Sequence, residues 1–191
     1  MKRALLFLLL WFGLVTCLVT QTLLTLHRPE YFSLYDLTLL SPRQVEYTLR
    51  SSDIGSSTRE PSWRFAADIP DRRAVATHAD YNKSGYDRGH LCAAADRSAS
   101  TAKMLATFSM SNICPQLPAI NRGAWKRTEI ACRNYATALD SVSIVVVPVY
   151  LQRDTTFIGT HRLAVPHAFF KAVWSTANDS VLDTWFIFNH Q

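Results

Sequence analysis

The stretch that most constrains this chain runs from Val142 to Leu151, Val-Ser-Ile-Val-Val-Val-Pro-Val-Tyr-Leu. β-Branched residues lose side-chain freedom in a helix and pack well on a pleated surface, so the run reads as a strand. Pro148, which has no N–H to give a ladder, places it at an edge or a bulge near its end. The clearest helical segment, Gly123–Leu139, precedes it directly. Strands outside and helices between them define an α+β layer, not a wound βαβ array.

Other segments are coarser. Val45–Leu49 alternates as a strand does, Ser51–Ser62 is a polar loop, and Trp63–Ile69 is a short apolar stretch. Asp80–Gly89 is turn-rich, Ser98–Met110 reads as a short helix capped by Ser98 or Ser100, and Asn112–Ile120, with two prolines, is irregular. Arg162–Trp174 and Val181–Phe188 suit strand or helix alike.

Lys2 and Arg3 precede an uncharged run from Ala4 to Leu26, long enough to span a bilayer at ~1.5 Å per residue. Residues 1–27 are read as an N-terminal hydrophobic helix, a signal anchor or a signal peptide, with lipidation at Cys17 a third option. The run lacks the Arg- and Ser-rich amphipathic pattern of a mitochondrial presequence. Each option exports the remainder of the chain, anchored facing the periplasm or exterior, or secreted after cleavage. Residues 28–44 then form a tether and 45–191 the folded domain, with the membrane a partner wherever the segment is uncleaved.

The net charge is +5. Between Asp87 and Arg133 seven bases face three acids, so most of the excess sits in one segment, as a polyphosphate ligand requires. Cysteines stand at 17, 92, 114 and 132 with no Cys-x-x-Cys pair, which disfavours structural zinc. A Cys92–Cys114 bridge would clip two parts of the candidate site together, while both positions equally suit small core residues.

The chemistry concentrates in Asp87-Arg88-Gly89-His90 and in Asn112 to Arg133. Hydrolysis of a phosphodiester needs a base of near-neutral pKa, a cation for the developing charge and a metal. His90 suits the base. Arg88, two residues earlier on an extended chain, can share its side and fork onto phosphate oxygens. Gly89 permits close approach. Asn121 stands where loop meets helix, as an N-cap or as the one amide ligand of a hydrated Mg²⁺. Asn121, Trp125, Glu129 and Arg133 fan over one side of the helix, drifting ~40° per step of four. Glu129 and Arg133 also read as an ordinary ion pair.

The strings YDRGHLCAAAD, SNICPQLPAINRGAWKRTE and HRLAVPHAFFKAV resemble the DNA/RNA non-specific endonucleases with a ββα-metal finger, especially the endonuclease G branch. The resemblance covers Trp63 to Phe188. It implies a central, mainly antiparallel sheet flanked by helices and a Mg²⁺-dependent endonuclease, with Mn²⁺ able to substitute, that cuts DNA and RNA to 5′-phosphate ends. His90 would be the general base and Asn121 the direct metal ligand. Glu129 would hold the metal's waters, Asn112 would order the site, and Arg88 and Arg133 would contact phosphate. Arg122 and Lys126 join Arg133 as nucleic-acid contacts, and relatives of this kind often form homodimers. Cys92 and Cys114 depart from the small apolar residues usual in that branch, and relatives continue past the position of Gln191. Two rivals remain: a surface nucleic-acid receptor with no need of His90, and a metal-free hydrolase, for which there is no Gly-x-Ser-x-Gly elbow.

Overall fold

The structure is a computed structural model that describes residues 22–69, 76–151 and 155–190. In chain order the strands are β1 (Leu23–His27), β2 (Phe32–Asp36), β3 (Ser41–Arg50), β4 (Asp87–His90), β5 (Ile113–Gln116), β6 (Ser141–Val149), β7 (Phe157–Ile158), β8 (Leu163–Ala164), β9 (Ala168–Ser175) and β10 (Val181–Phe188). Helix α1 is Thr101–Ala106, and α2, Lys126–Leu139, continues a π-helical turn over Ile120–Trp125. The main sheet has six strands in the order β1-β2-β3-β6-β9-β10, with every neighbour antiparallel. β4 and β5 form a separate antiparallel pair.

β6 is interior to the sheet, so the edge expected from Pro148 is only local. Pairing with β3 ends at Val45↔Val146, whereas pairing with β9 continues through Pro148↔Phe169. The missing N–H thus lies beyond the β3 ladder. Trp125, at the end of the π-helical turn, and Cys132 and Ala136 of α2 are fully buried against Val142, Ile144 and Val146 of β6 and Phe169 and Val173 of β9. A second core, built on Phe65, Tyr81, Met104, Phe108, Met110 and Leu163, underlies the β4–β5 pair.

The tether is a correction. Residues 28–44 carry β2 and the start of β3, and the end of the apolar run is β1. The rest of the proposed N-terminal helix lies outside the described residues. Periodicity hid β2 because it buries polar side chains: Ser33 donates to the Ser111 carbonyl at 2.7 Å, and Asp36 accepts from the Thr38 and Leu39 amides and pairs with Arg43. The expected helix over 98–110 shortens to α1, with the Ser100 side chain as its cap. Asn112–Ile120 is not wholly irregular, since β5 holds Pro115 opposite Arg88. The two ambiguous C-terminal segments are strands that pair as a hairpin.

Candidate active site

β4, β5 and the helix from Ile120 onward form a ββα unit. Two contacts fasten β4 along the first turns of the helix. The Asp87 carboxylate accepts from Asn121 Nδ2 at 2.9 Å and from Arg122 Nε and Nη2 at 2.9 and 2.7 Å. Three residues on, the His90 carbonyl accepts from Trp125 Nε1 at 3.0 Å. Gly89 lies between them, where a Cβ would come within 2.2 Å of the buried Gln116 amide, so no larger residue fits without displacing that side chain.

The His90 ring packs edge-on to Phe108, centroids 4.7 Å apart, and against Phe65 at 5.4 Å. Its Nε2 is buried without a hydrogen-bond partner among the described residues. Burial, with the nearby Arg59 charge second, lowers the imidazole pKa to about 3. The ring is therefore neutral at working pH, with a nitrogen free to take a proton.

Asn121 does not cap the helix with its side chain. Its NH₂ is spent on Asp87, which leaves Oδ1 without a donor among the described residues. Glu129, half-buried two turns later, has no hydrogen bond or ion pair to any described residue. Burial pushes its carboxyl up to about 7, against the pull of Lys171. An amide oxygen and a carboxylate, both without protein donors, form a hard oxygen donor set that fits a hydrated divalent cation. Among the described residues no three His, Cys, Asp or Glu cluster as a metal site, which is compatible with so sparse a set.

The cations divide. Arg122 is highly exposed but forks onto Asp87. Arg133 is not paired with Glu129; it binds the fully buried Asp96 at 2.7 Å. Arg88 donates to the His78 carbonyl at 2.6 Å and to Asn82, and lies over the Tyr81 ring. Lys126 and its neighbour Arg127 are exposed on α2. Asn112 is fully buried: Oδ1 accepts from the Cys92 amide, and Nδ2 donates to the Cys92 and Thr107 carbonyls. It thereby fixes the chain two residues beyond His90.

Cys92 and Cys114 are not bridged; with Cys132 they are free and buried. Cys114 faces Ser41 and Tyr150, whereas Cys92 lies toward the Glu30 carbonyl. Burial pushes Cys114 and Cys132 up to about 12 and Cys92 higher still, so none is a ready thiolate nucleophile.

Sequence reasoning missed four contributing side chains. Asp87 organises Asn121 and was legible only as part of its motif. Phe65 and Phe108 wall the His90 ring. Arg59 stacks on Phe108 at 5.0 Å; it sits in a polar loop whose pattern gives no signal.

The two titrating groups leave opposite marks on stability. The folded chain keeps the Glu129 proton up to about pH 7, whereas an ordinary glutamate releases it near 4.5. The stabilisation this gives is complete below pH 4.5 and lost by pH 7, about 3 kcal/mol in all at 1.36 per pKa unit. His90, depressed from 6.5 to about 3, contributes stability above pH 6.5 that is lost as pH falls toward 3. Between pH 4.5 and 6.5 the two largely cancel in the metal-free wild type. Glu129→Gln removes one side, so its stability is expected to rise with pH more steeply than the wild type's. Urea titrations of both proteins in EDTA at pH 5, 6 and 7 measure this, and parallel curves would contradict it.

Taken together, a ββα unit packs on a six-stranded antiparallel sheet, with a half-buried histidine, its Nε2 unpaired among the described residues, at the end of its first strand and an oriented amide oxygen at the start of its helix. Residues 15–191 match the family model described as DNA/RNA non-specific endonuclease, and the chain belongs to that family. Human "Endonuclease G, mitochondrial" is 38% identical over 107 residues, which is 51% of this chain and 36% of that protein. "Nuclease EXOG, mitochondrial" of Xenopus laevis is 34% identical over 151 residues, 73% of this chain and 42% of that protein. The chain thus spans less than half the length of either relative. A chain of the crystal structure of the EndoG/EndoGI complex superposes with a TM-score of 0.78 at 25% identity, covering 87% of this chain and 74% of that one.

These relatives overturn the expectation of an exported enzyme, because both are named as mitochondrial nucleases. Among the described residues no helix is long and apolar enough to cross a membrane.

Proposed function

We propose that this chain is a divalent-metal-dependent endonuclease, served best by Mg²⁺ and also by Mn²⁺, that hydrolyses DNA and RNA with little regard for sequence and leaves 5′-phosphate ends. One observation carries the reading. Asp87, three residues along β4 from a neutral His90 whose Nε2 has no partner among the described residues, takes the NH₂ of Asn121 and leaves a bare amide oxygen at the start of the helix.

His90 takes the proton of the attacking water. A base of pKa about 3 is weak, but a phosphate dianion-like transition state beside it raises its proton affinity, and its neutrality costs nothing beforehand. Asn121 would hold the cation through Oδ1, and Glu129 would accept hydrogen bonds from the water around it. When bound, the cation supplies Lewis-acid polarisation of the phosphate and steadies the departing 3′ oxygen. Arg59 and Arg88 lend positive charge beside the base, and Lys126 and Arg127 meet the backbone of longer substrates. None of these groups reads a base edge, so phosphate and sugar contacts dominate and sequence is ignored.

Asn121→Ala is expected to raise the Mg²⁺ needed for half-maximal cleavage by on the order of tenfold or more. An unchanged Mg²⁺ titration would overturn Asn121 as the ligand. The double variant Lys126→Ala with Arg127→Ala is expected to raise KM for long DNA and to flatten the fall of activity with salt, by a log–log slope of about 1 to 2. Salt dependence equal to wild type would remove both residues from the substrate path.

A further inference from the structure

Lys171 is the least expected residue in the core. It lies in β9 between Val146 of β6 and Trp185 of β10, on the face that α2 covers. It is completely buried, and its Nζ has no hydrogen-bond partner among the described residues. Its Nζ lies over the face of Trp125, 3.8 Å from the ring centroid. A buried ammonium without a partner is costly, and a cation–π contact offsets only part of that cost.

Two carboxyls share this compartment. Asp96 is already satisfied by Arg133 at 2.7 Å and by the Tyr47 hydroxyl at 2.8 Å. Glu129 sits one helical turn beyond Trp125 on the same face of α2 and has no partner among the described residues. Lys171 is the strongest of the charges that favour the Glu129 carboxylate; Arg133 and Lys126 act in the same sense, and Asp96 opposes them.

We propose that Lys171 is a positioning residue for the metal side of the site: its buried ammonium, seated on Trp125, draws in and holds the Glu129 carboxylate that receives the cation's waters. The inference rests on the endonuclease reading. Lys171 touches neither substrate nor metal. It acts through Glu129, and its seat on Trp125 lies directly behind the indole that grips the His90 carbonyl.

The test is Mn²⁺ binding to the full chain without nucleic acid, read by electron paramagnetic resonance, for Lys171→Met, Glu129→Gln and the double variant. Removing a positive charge near a cation site should by simple repulsion tighten Mn²⁺ binding. The proposal expects the reverse: Lys171→Met weakens it by about 10-fold, because Glu129 is no longer held. In the Glu129→Gln background the same substitution produces no further weakening. Lys171→Arg retains binding within about threefold. Lys171→Met should fold, since replacing an unpaired buried charge with an apolar side chain is neutral or stabilising. Lys171→Gln carries the same expectation if the methionine variant fails to fold. Unchanged or tighter binding in Lys171→Met, or equal weakening in both backgrounds, would overturn the proposal. A wild type that binds no Mn²⁺ at all would overturn the endonuclease reading, and this inference with it.

Discussion

His90→Ala is expected to lower the cleavage rate by ~10²–10⁴-fold, the usual cost of losing a general base, while affinity for DNA and the melting transition stay near wild type. The ring's Nε2 makes no hydrogen bond within the described fold, so its removal strands no protein partner. The small cavity left between Phe65 and Phe108 is the only structural loss. In the free enzyme the ring should also be silent to titration. Its ¹H–¹³C resonance is expected to stay fixed from pH 5 to 8, because burial has already carried its pKa to about 3. A histidine at this position that titrates near 6.5, or a variant of near-normal turnover, would remove His90 from the role of base.

Arg133→Ala is expected to act in the opposite way, on stability first. Asp96 is fully buried, and the Arg133 guanidinium is its counter-charge. Deleting one partner of a buried pair costs about 3–5 kcal/mol, because the other is left uncompensated. Asp96 would keep only the Tyr47 hydroxyl. Urea unfolding should show the loss, and pairing Arg133→Met with Asp96→Asn should recover most of it. If Arg133→Ala instead unfolds at the wild-type urea concentration and only weakens DNA binding, the arginine is a phosphate contact, as the helix stripe alone suggested.

That contrast marks how far the sequence reaches. The placement that short-range order decides is legible: His90 and Arg88 in one four-residue strand, and Asn121, Trp125 and Glu129 along one helical segment. What each side chain faces is not. Arg88, Arg122 and Arg133 all read as cations for phosphate, yet each meets a protein acceptor set by a distant element: the His78 carbonyl, Asp87 and Asp96. Long-range partners leave no trace in spacing. Strand β2 escapes pattern reading for a related reason. Its buried Ser33 and Asp36 are satisfied by hydrogen bonds to Ser111 and to the following turn, which hydrophobic alternation does not register. The apolar run from Ala4 reads as a membrane or export segment, because length and hydropathy alone do not separate such a run from one whose last residues enter a sheet, as Leu23–His27 does. Lys171 lies in a stretch that periodicity left undecided between helix and strand, so its burial against Trp125 could not be seen.

The central claim is hydrolysis at the β4–β5–helix finger by a metal-assisted histidine. Supercoiled plasmid and total RNA incubated with the full chain in Mg²⁺, in EDTA, and with His90→Ala in Mg²⁺ test it most directly. The account predicts that both nucleic acids are degraded to ligatable 5′-phosphate ends only by the wild type in Mg²⁺. Equal degradation in EDTA, or DNA bound but left intact in Mg²⁺, would contradict it.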